Sequence, residues 1–124
     1  MKSAEDNIIL EKTFAFAVRI VNVYKYLTTT ATNKEYVLSK QLLRSGTSIG
    51  ANTEEAIGAP STADFINKLS IAYKEARESR YWIRHLEKTE YLSPKEASSL
   101  LTDLEDIKSI LAKIQITTKS KPTK

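Results

Sequence analysis

The 124-residue sequence predicts an all-α protein, folded as an antiparallel, up-down-up-down four-helix bundle. Apolar and small residues recur at alternating spacings of four and three over residues 65–86 and again over 97–114. This seven-residue period places one narrow stripe on each of two long helices, as in helices that pack lengthwise. Short polar breaks separate four helical segments, and such short connections favour antiparallel neighbours. The sequence contains no alternating pattern that predicts a β-strand.

The first predicted helix, from about Glu5 to Thr28, is apolar over more than half of its circumference. The apolar positions are Leu10, Phe14, Phe16, Ala17, Val18, Ile20, Val21, Val23 and Leu27. A stripe of about 100° is enough for a helix to cover one core. The excess therefore predicts a second buried contact, most simply with another subunit.

Capping signals delimit the second predicted helix. Thr32 is followed three residues later by Glu35, which is the spacing of a capping box and predicts a helix start at Thr32. The helix is expected to reach about Ile57, because Gly58 and Pro60 then form a stop signal.

The third and fourth helices begin at Ser61 and Ser93, each followed by an acidic residue three positions later. A proline at the first turn strengthens the second of these starts. We expect the fourth helix to end near Ile116. The predicted organisation is one bundle domain over residues 1–118 and a basic, disordered tail over residues 119–124.

Most of the net positive charge lies in the last six residues of the chain. The formal net charge is +4, with a sequence pI near 9.2. Three of the 19 basic residues lie in the tail, which leaves 16 against 15 acidic residues in the rest of the chain. A basic surface on the bundle therefore requires an uneven distribution of its charges.

Other compositional features exclude several classes of protein. The chain has no cysteine, which excludes disulfides and thiolate metal sites. No apolar run approaches the length of about 18 residues that a membrane span needs, and the start lacks a signal-peptide pattern. We expect a cytoplasmic protein with no membrane partner.

A polar stripe runs along the second helix beside Gly46 and Gly50. With the adjacent arginine, it comprises Gln41, Arg44, Ser45, Ser48, Asn52 and Glu55. One interpretation is a hydrogen-bonded seam within the bundle or between subunits, where the glycines permit close approach. The alternatives are contact with a ligand or nucleic acid, and simple exposure to solvent.

The third helix gathers basic and aromatic residues within an arc of roughly 140°. The candidates for nucleic-acid contact are Lys74, Arg77, Arg80, Tyr81, Arg84 and Lys88. Cations bind phosphates and tyrosine rings stack on unpaired bases, so this mixture fits a nucleic acid. The alternative is a solvated face whose cations pair with Glu54, Glu55 or the acidic residues at 103–106.

No catalytic or metal-binding pattern is present. The sequence lacks a Gly-rich phosphate loop, a nucleophile elbow and a Ser/His/Asp arrangement. His85 is the only histidine, and the Glu-x-x-His pairs of di-iron bundles are absent. We predict a protein that is not an enzyme and needs no cofactor or metal.

Three segments resemble the signature of a bacterial family of four-helix-bundle proteins. They are Gln41-Leu42-Leu43-Arg44-Ser45 with Ser48-Ile49, Asn52 and Glu55; Asp64-Phe65 with Leu69, Ile71-Ala72 and Glu75; and Glu90-Tyr91-Leu92, where family members often have Gly-Tyr-Leu. The family includes proteins encoded in 23S rRNA intervening sequences and the accessory variability proteins of diversity-generating retroelements. The resemblance implies a helical bundle that assembles into a ring-shaped homo-oligomer, specifically a pentamer.

Together, these features predict a non-enzymatic, oligomeric adaptor for nucleic acid or a ribonucleoprotein, of the 23S rRNA intervening-sequence type. Its partners would be copies of itself, RNA or DNA, and a protein such as a reverse transcriptase. The alternative is a structural protein–protein interaction module with no nucleic-acid role.

Overall fold

The computed structural model describes residues 3–120 and contains four α-helices. They are α1 (Ala4–Lys25), α2 (Leu38–Ile57), α3 (Thr62–Lys88) and α4 (Pro94–Lys119). A π-helical segment, Tyr26–Thr30, continues directly from α1. No β-strand occurs within residues 3–120. The predicted all-α four-helix bundle is confirmed.

Contacts between side chains show that neighbouring helices run in opposite directions. Glu5 near the start of α1 lies 3.7 Å from Lys113 late in α4, whereas Arg19 farther along α1 contacts Asp103 early in α4. The same reversed order joins α2 to α3 and α3 to α4, through the pairs Ser45–Ser79, Glu55–Lys68, Ser70–Gln115 and Arg80–Glu105. The helices therefore alternate in direction along the chain.

The core consists of the stripes that the seven-residue period predicts. Within α3 and α4 the buried members are Leu69, Ala72, Ala76, Ser79, Ile83, Leu86, Ala97, Leu100, Leu104, Ile107, Leu111 and Ile114. Phe65 is partly buried and packs against this core. From α1, the core receives Phe16 and Ile20, whose side chains are at most 1% exposed. Burial of such apolar area is the main term that favours folding.

The glycines of α2 allow α1 to approach closely. A Cβ built on Gly46 would lie 2.8 Å from Ile20 Cγ1, and one on Gly50 would lie 3.3 Å from the main-chain oxygen of Thr13. The first distance is a steric clash that a larger residue would have to relieve by moving the helices. Both glycines therefore serve the packing of α1 on α2, not a close approach at a polar seam.

A buried glutamate, rather than a capping threonine, begins α2. Glu35 is 8% exposed, and its carboxylate accepts hydrogen bonds from the main-chain N–H groups of Val37 (2.8 Å), Leu38 (3.0 Å) and Ser39 (2.6 Å). The prediction that the helix starts at Thr32 was wrong, because Glu35 caps the turn that follows it instead of closing a box with Thr32. The connection between the π-helical segment and α2 spans residues 31–37.

The starts of α3 and α4 agree with the sequence prediction. Ser61 Oγ accepts a hydrogen bond from the main-chain N–H of Asp64 at 3.1 Å. At α4, Ser93 and Glu96 form a complete capping box, with Pro94 in the first turn. These caps satisfy N–H groups that have no acceptor within the helix.

The far end of α4 lies beyond its predicted limit. The helix passes Ile116 and continues to Lys119, and the N–H of Ser120 donates to the carbonyl of Ile116 at 3.1 Å. No glycine or proline lies between Pro94 and Pro122 in the sequence, so neither residue type interrupts the helix before its observed end. Lys119, which was assigned to the tail, therefore belongs to α4. Residues 121–124 of the predicted tail lie outside the described residues.

Candidate nucleic-acid interface

The basic side of α3 lies away from its buried stripe. All six predicted contact residues are exposed: Lys74, Arg77, Arg80, Tyr81, Arg84 and Lys88. At a rise of 1.5 Å per residue, the positions from Lys74 to Lys88 extend over roughly 21 Å of helix. The structure thus places these six residues on one continuous surface, which we call the basic face.

Most cations of the basic face have no acidic partner. Arg80 Nε lies 3.9 Å from Glu105 Oε1 on α4, which is a long ion pair. In the described part of the chain, no carboxylate lies at ion-pair distance from the other cations, Lys74, Arg77, Arg84 and Lys88. The charge of Lys74 also helps to lower the pKa of Glu78, whereas the charges of Arg77, Arg84 and Lys88 are available to an external anion.

Asp103 and Asp106, which the sequence offered as partners of the basic face, pair with α1 instead. On α4, Asp103 binds Arg19 of α1 at 2.6 Å and Asp106 binds Lys12 of α1 at 2.7 Å. The hydrogen bond and the charge of Asp106 raise the pKa of Lys12. These pairs join α1 to α4, so of the acidic residues at 103–106 only Glu105 serves the basic face.

A shallow groove between α3 and α4 adds a cation that the sequence interpretation missed. The groove has a volume of about 430 Å³ and is lined by Arg77, Arg80, Tyr81, Arg84, Glu105 and Lys108. Lys108 Nζ lies 3.2 Å from Glu105 and 5.9 Å from the centroid of the Tyr73 ring. In the sequence, Lys108 follows Ile107 of the predicted apolar stripe. A position beside that stripe could have indicated that Lys108 lies at the border between α4 and α3.

The polar stripe of α2 does not form a single site. Ser45 is buried and accepts a hydrogen bond from the hydroxyl of Ser79 at 2.9 Å, which joins α2 to α3. Arg44 contacts Glu75 at 3.4 Å and also forms an ion pair with Glu78. These contacts belong to the α2–α3 seam.

The remaining stripe residues make local or exposed contacts. The Ser48 hydroxyl donates to the carbonyl of Arg44 at 2.7 Å, and the Asn52 amide donates to the carbonyl of Ser48 at 2.9 Å. Glu55 binds Lys68 of α3 at 2.9 Å, and Gln41 is exposed. Hydrogen bonds of this kind hold α2 together and leave no convergent polar site.

In the α2–α3 seam, the pKa of the Glu78 carboxyl lies below its ordinary value. The indole N–H of Trp82 donates to it at 3.0 Å, and this bond together with Arg44 lowers the pKa of Glu78 against the opposing effect of burial. A carboxylate that is ionised and hydrogen-bonded here fixes the Trp82 ring, which is partly buried and packs against the hydrophobic core.

Two features bear on metal ligation and membrane insertion, a cluster of metal-ligating side chains and a membrane-spanning helix. Residues 3–120 contain no group of three or more His, Asp or Glu side chains that could hold a metal ion. Within the same range, none of the helices is both long and apolar enough to cross a bilayer.

Part of α1 is apolar and uncovered. Phe14 is 64% exposed, Val18 46% and Val21 38%, and the three side chains lie on one side of the helix. The bundle therefore leaves part of the apolar excess of α1 exposed, as the sequence indicated.

The fold and the basic face define a class, the all-α bundle proteins with an exposed cationic helix. The chain belongs to the 23S rRNA-intervening sequence protein family, whose sequence model matches residues 5–113. It is also similar to the crystal structure of a protein of unknown function from the S23 ribosomal protein family of Bacteroides thetaiotaomicron. That similarity has 50% sequence identity and a TM-score of 0.86, and covers 90% of this chain and 97% of the other. No curated protein matches the chain significantly.

Proposed function

We propose that this protein is a non-enzymatic, homo-oligomeric bundle that binds nucleic acid through the basic face of α3. The observation that supports the proposal is the group of four exposed cations on that face that form no ion pair with a carboxylate among residues 3–120. Solvated helix faces usually balance their charges with intramolecular pairs, as α1 and α4 do here. Unbalanced cations attract phosphates, because binding releases the counterions condensed on the nucleic acid.

RNA is the nucleic acid to test first, since the family is described by a sequence that intervenes in 23S rRNA. In this role the bundle supplies a rigid cationic surface, and the chemistry of the RNA is left unchanged. A bound protein, such as a reverse transcriptase, would then meet an RNA already held on the bundle.

The second candidate is a structural protein–protein module, and the exposed apolar side of α1 favours it. In that case the uncovered Phe14, Val18 and Val21 would carry the whole function, and the basic face would serve only solubility. The two candidates differ in one property, which is binding of RNA by the bundle itself.

The test is charge reversal at the centre of the basic face. We expect Arg77→Glu/Arg84→Glu to weaken binding of a fluorescein-labelled RNA hairpin by about tenfold or more, measured by fluorescence anisotropy. Both side chains are exposed, so thermal stability should stay within about 0.5 kcal/mol of the native value.

The matched control reverses two exposed lysines elsewhere, Lys34→Glu/Lys40→Glu, in the α1–α2 connection and on α2. It changes net charge by the same amount and should retain most of the hairpin affinity. Equal losses in both variants would indicate a nonspecific charge effect. Unchanged binding by Arg77→Glu/Arg84→Glu would reject the proposal in favour of the protein–protein module.

A further inference from the structure

A cleft lies at one end of the basic face. It has a volume of about 1050 Å³ and is formed by the end of α3, the α3–α4 turn, the start of α4 and the first residue of the π-helical segment. This volume is close to the upper limit of about 1,000 Å³ for typical ligand-binding pockets. We call it the turn cleft.

Three tyrosines line the turn cleft, from three different parts of the chain. Tyr26 is 46% exposed and Tyr81 50%, whereas Tyr91 is partly buried. The Tyr81 ring makes edge-on contacts with His85 at 4.4 Å and Trp82 at 5.1 Å between centroids. These contacts support Tyr81 while half of its surface remains free to meet a planar group.

Two of the unpaired cations, Arg84 and Lys88, also line the turn cleft. Tyr81 and Arg84 line the α3–α4 groove as well, so groove and cleft form one path along the basic face. A strand whose phosphates follow the groove would reach the tyrosines at the end of α3.

The turn cleft has more carboxylates than the groove, where Glu105 is the one acidic residue of the lining. Glu87 and Glu90 line the cleft beside the cations, and Glu96 is already engaged in the cap of α4. An acidic wall repels a phosphate, but carboxylate oxygens accept hydrogen bonds from the amino groups of bases. The mixed charge therefore suits a base more than a second phosphate.

We infer that the turn cleft binds an unpaired nucleotide of the nucleic acid held on the basic face, with its base stacked on tyrosine. This inference depends on the proposed function and specifies its ligand as RNA with a single-stranded segment. In a duplex the faces of the bases are covered by their neighbours, so only an unpaired base can stack on a side chain.

The test compares a single-stranded RNA with a blunt duplex of the same sequence, both fluorescein-labelled, by anisotropy. We expect the native protein to bind the single strand more tightly. Tyr26→Leu/Tyr81→Leu should weaken single-strand binding by about tenfold or more, since each stacked base contributes substantially to affinity. The loss for the duplex should be at least about threefold smaller, because a duplex presents no base face to either ring. The control Tyr36→Leu alters a tyrosine that is 56% exposed in the α1–α2 connection and should behave as the native protein.

The outcomes separate the two claims. Equal affinity of the Tyr26→Leu/Tyr81→Leu variant and the native protein for the single strand would overturn the inference while the basic face still binds RNA. Binding of neither RNA by the native protein would reject the proposed function and the inference together.

A second experiment applies if the double variant fails to fold. The native protein is photocrosslinked to single-stranded RNA that contains 5-bromouridine. Crosslinks at Tyr26, Tyr81 or Tyr91 support the inference, and crosslinks only elsewhere contradict it.

Discussion

Glu90 adopts the left-handed backbone conformation that glycine usually occupies, with φ of 68°. Its N–H donates to the carbonyl of Glu87 at 3.0 Å, and the N–H of Tyr91 donates to the carbonyl of Leu86 at 2.8 Å. These two bonds are the Schellman pattern that ends many helices, and it requires a left-handed residue at the position of Glu90. A side chain with a Cβ is strained there by about 1 kcal/mol or more.

Replacement of Glu90 by glycine should therefore stabilise the protein. We expect Glu90→Gly to raise the free energy of unfolding by about 1 kcal/mol, measured by urea denaturation. The matched control is Glu87→Gly, in the last turn of α3, which should lower stability by up to about 1 kcal/mol because glycine disfavours helix. A loss of stability in both variants would contradict the assigned conformation.

At the scale of elements, the least expected feature is the start of α2. The carboxylate of Glu35 accepts three main-chain hydrogen bonds, whereas no hydrogen bond involves the Thr32 hydroxyl among residues 3–120. The helix therefore depends on Glu35 for its cap. Removal of a capping side chain commonly costs about 1 kcal/mol, and burial of the unpaired N–H groups adds to that cost.

The paired variants Glu35→Ala and Thr32→Ala test this assignment. We expect Glu35→Ala to lower the free energy of unfolding by about 1–2 kcal/mol, and Thr32→Ala to change it by less than about 0.5 kcal/mol. Thermal melts followed by circular dichroism measure both. The reverse order of effects would restore the helix start at Thr32 that the sequence predicted.

Local signals and tertiary contacts explain which elements the sequence could predict. Ser61 and Ser93 each bond to N–H groups three residues ahead, so their caps are legible in a few consecutive residues. Thr32 and Glu35 have the spacing of a capping box, but in the folded protein the Glu35 carboxylate instead accepts hydrogen bonds from residues that follow it. This depends on the path of the connection, which local spacing does not show. The basic face was predictable from helical periodicity, but not that Asp103 and Asp106 pair with α1, because that depends on how the helices pack.

At the scale of the whole molecule, the uncovered side of α1 predicts self-association. The sequence indicated an excess of apolar surface on this helix, and in the bundle Phe14, Val18 and Val21 remain exposed. Burial of such side chains against a second copy contributes about 25 cal/mol per Å² of apolar area. The same surface in isolation would be a liability for aggregation.

The variant Phe14→Glu/Val18→Glu should convert the assembly into monomers. We expect sedimentation equilibrium to give a mass well above 14.0 kDa for the native protein and close to 14.0 kDa for the variant, with unchanged helix content. Ile116→Glu is the control, because this residue is 70% exposed on α4 and should leave the assembly intact. A native protein that sediments as a monomer at high concentration would refute self-association.

The salt dependence of RNA affinity tests the central claim, that unpaired cations of α3 hold phosphates. If the four unpaired cations each neutralise one phosphate of a single strand, log Kd should change with log salt concentration with a slope of magnitude roughly 2.8. The Arg77→Glu/Arg84→Glu variant should show a slope of magnitude about 1.4 or less. Fluorescence anisotropy of single-stranded RNA across a series of KCl concentrations measures both slopes. A flat native response, or an identical slope in the variant, would contradict the account.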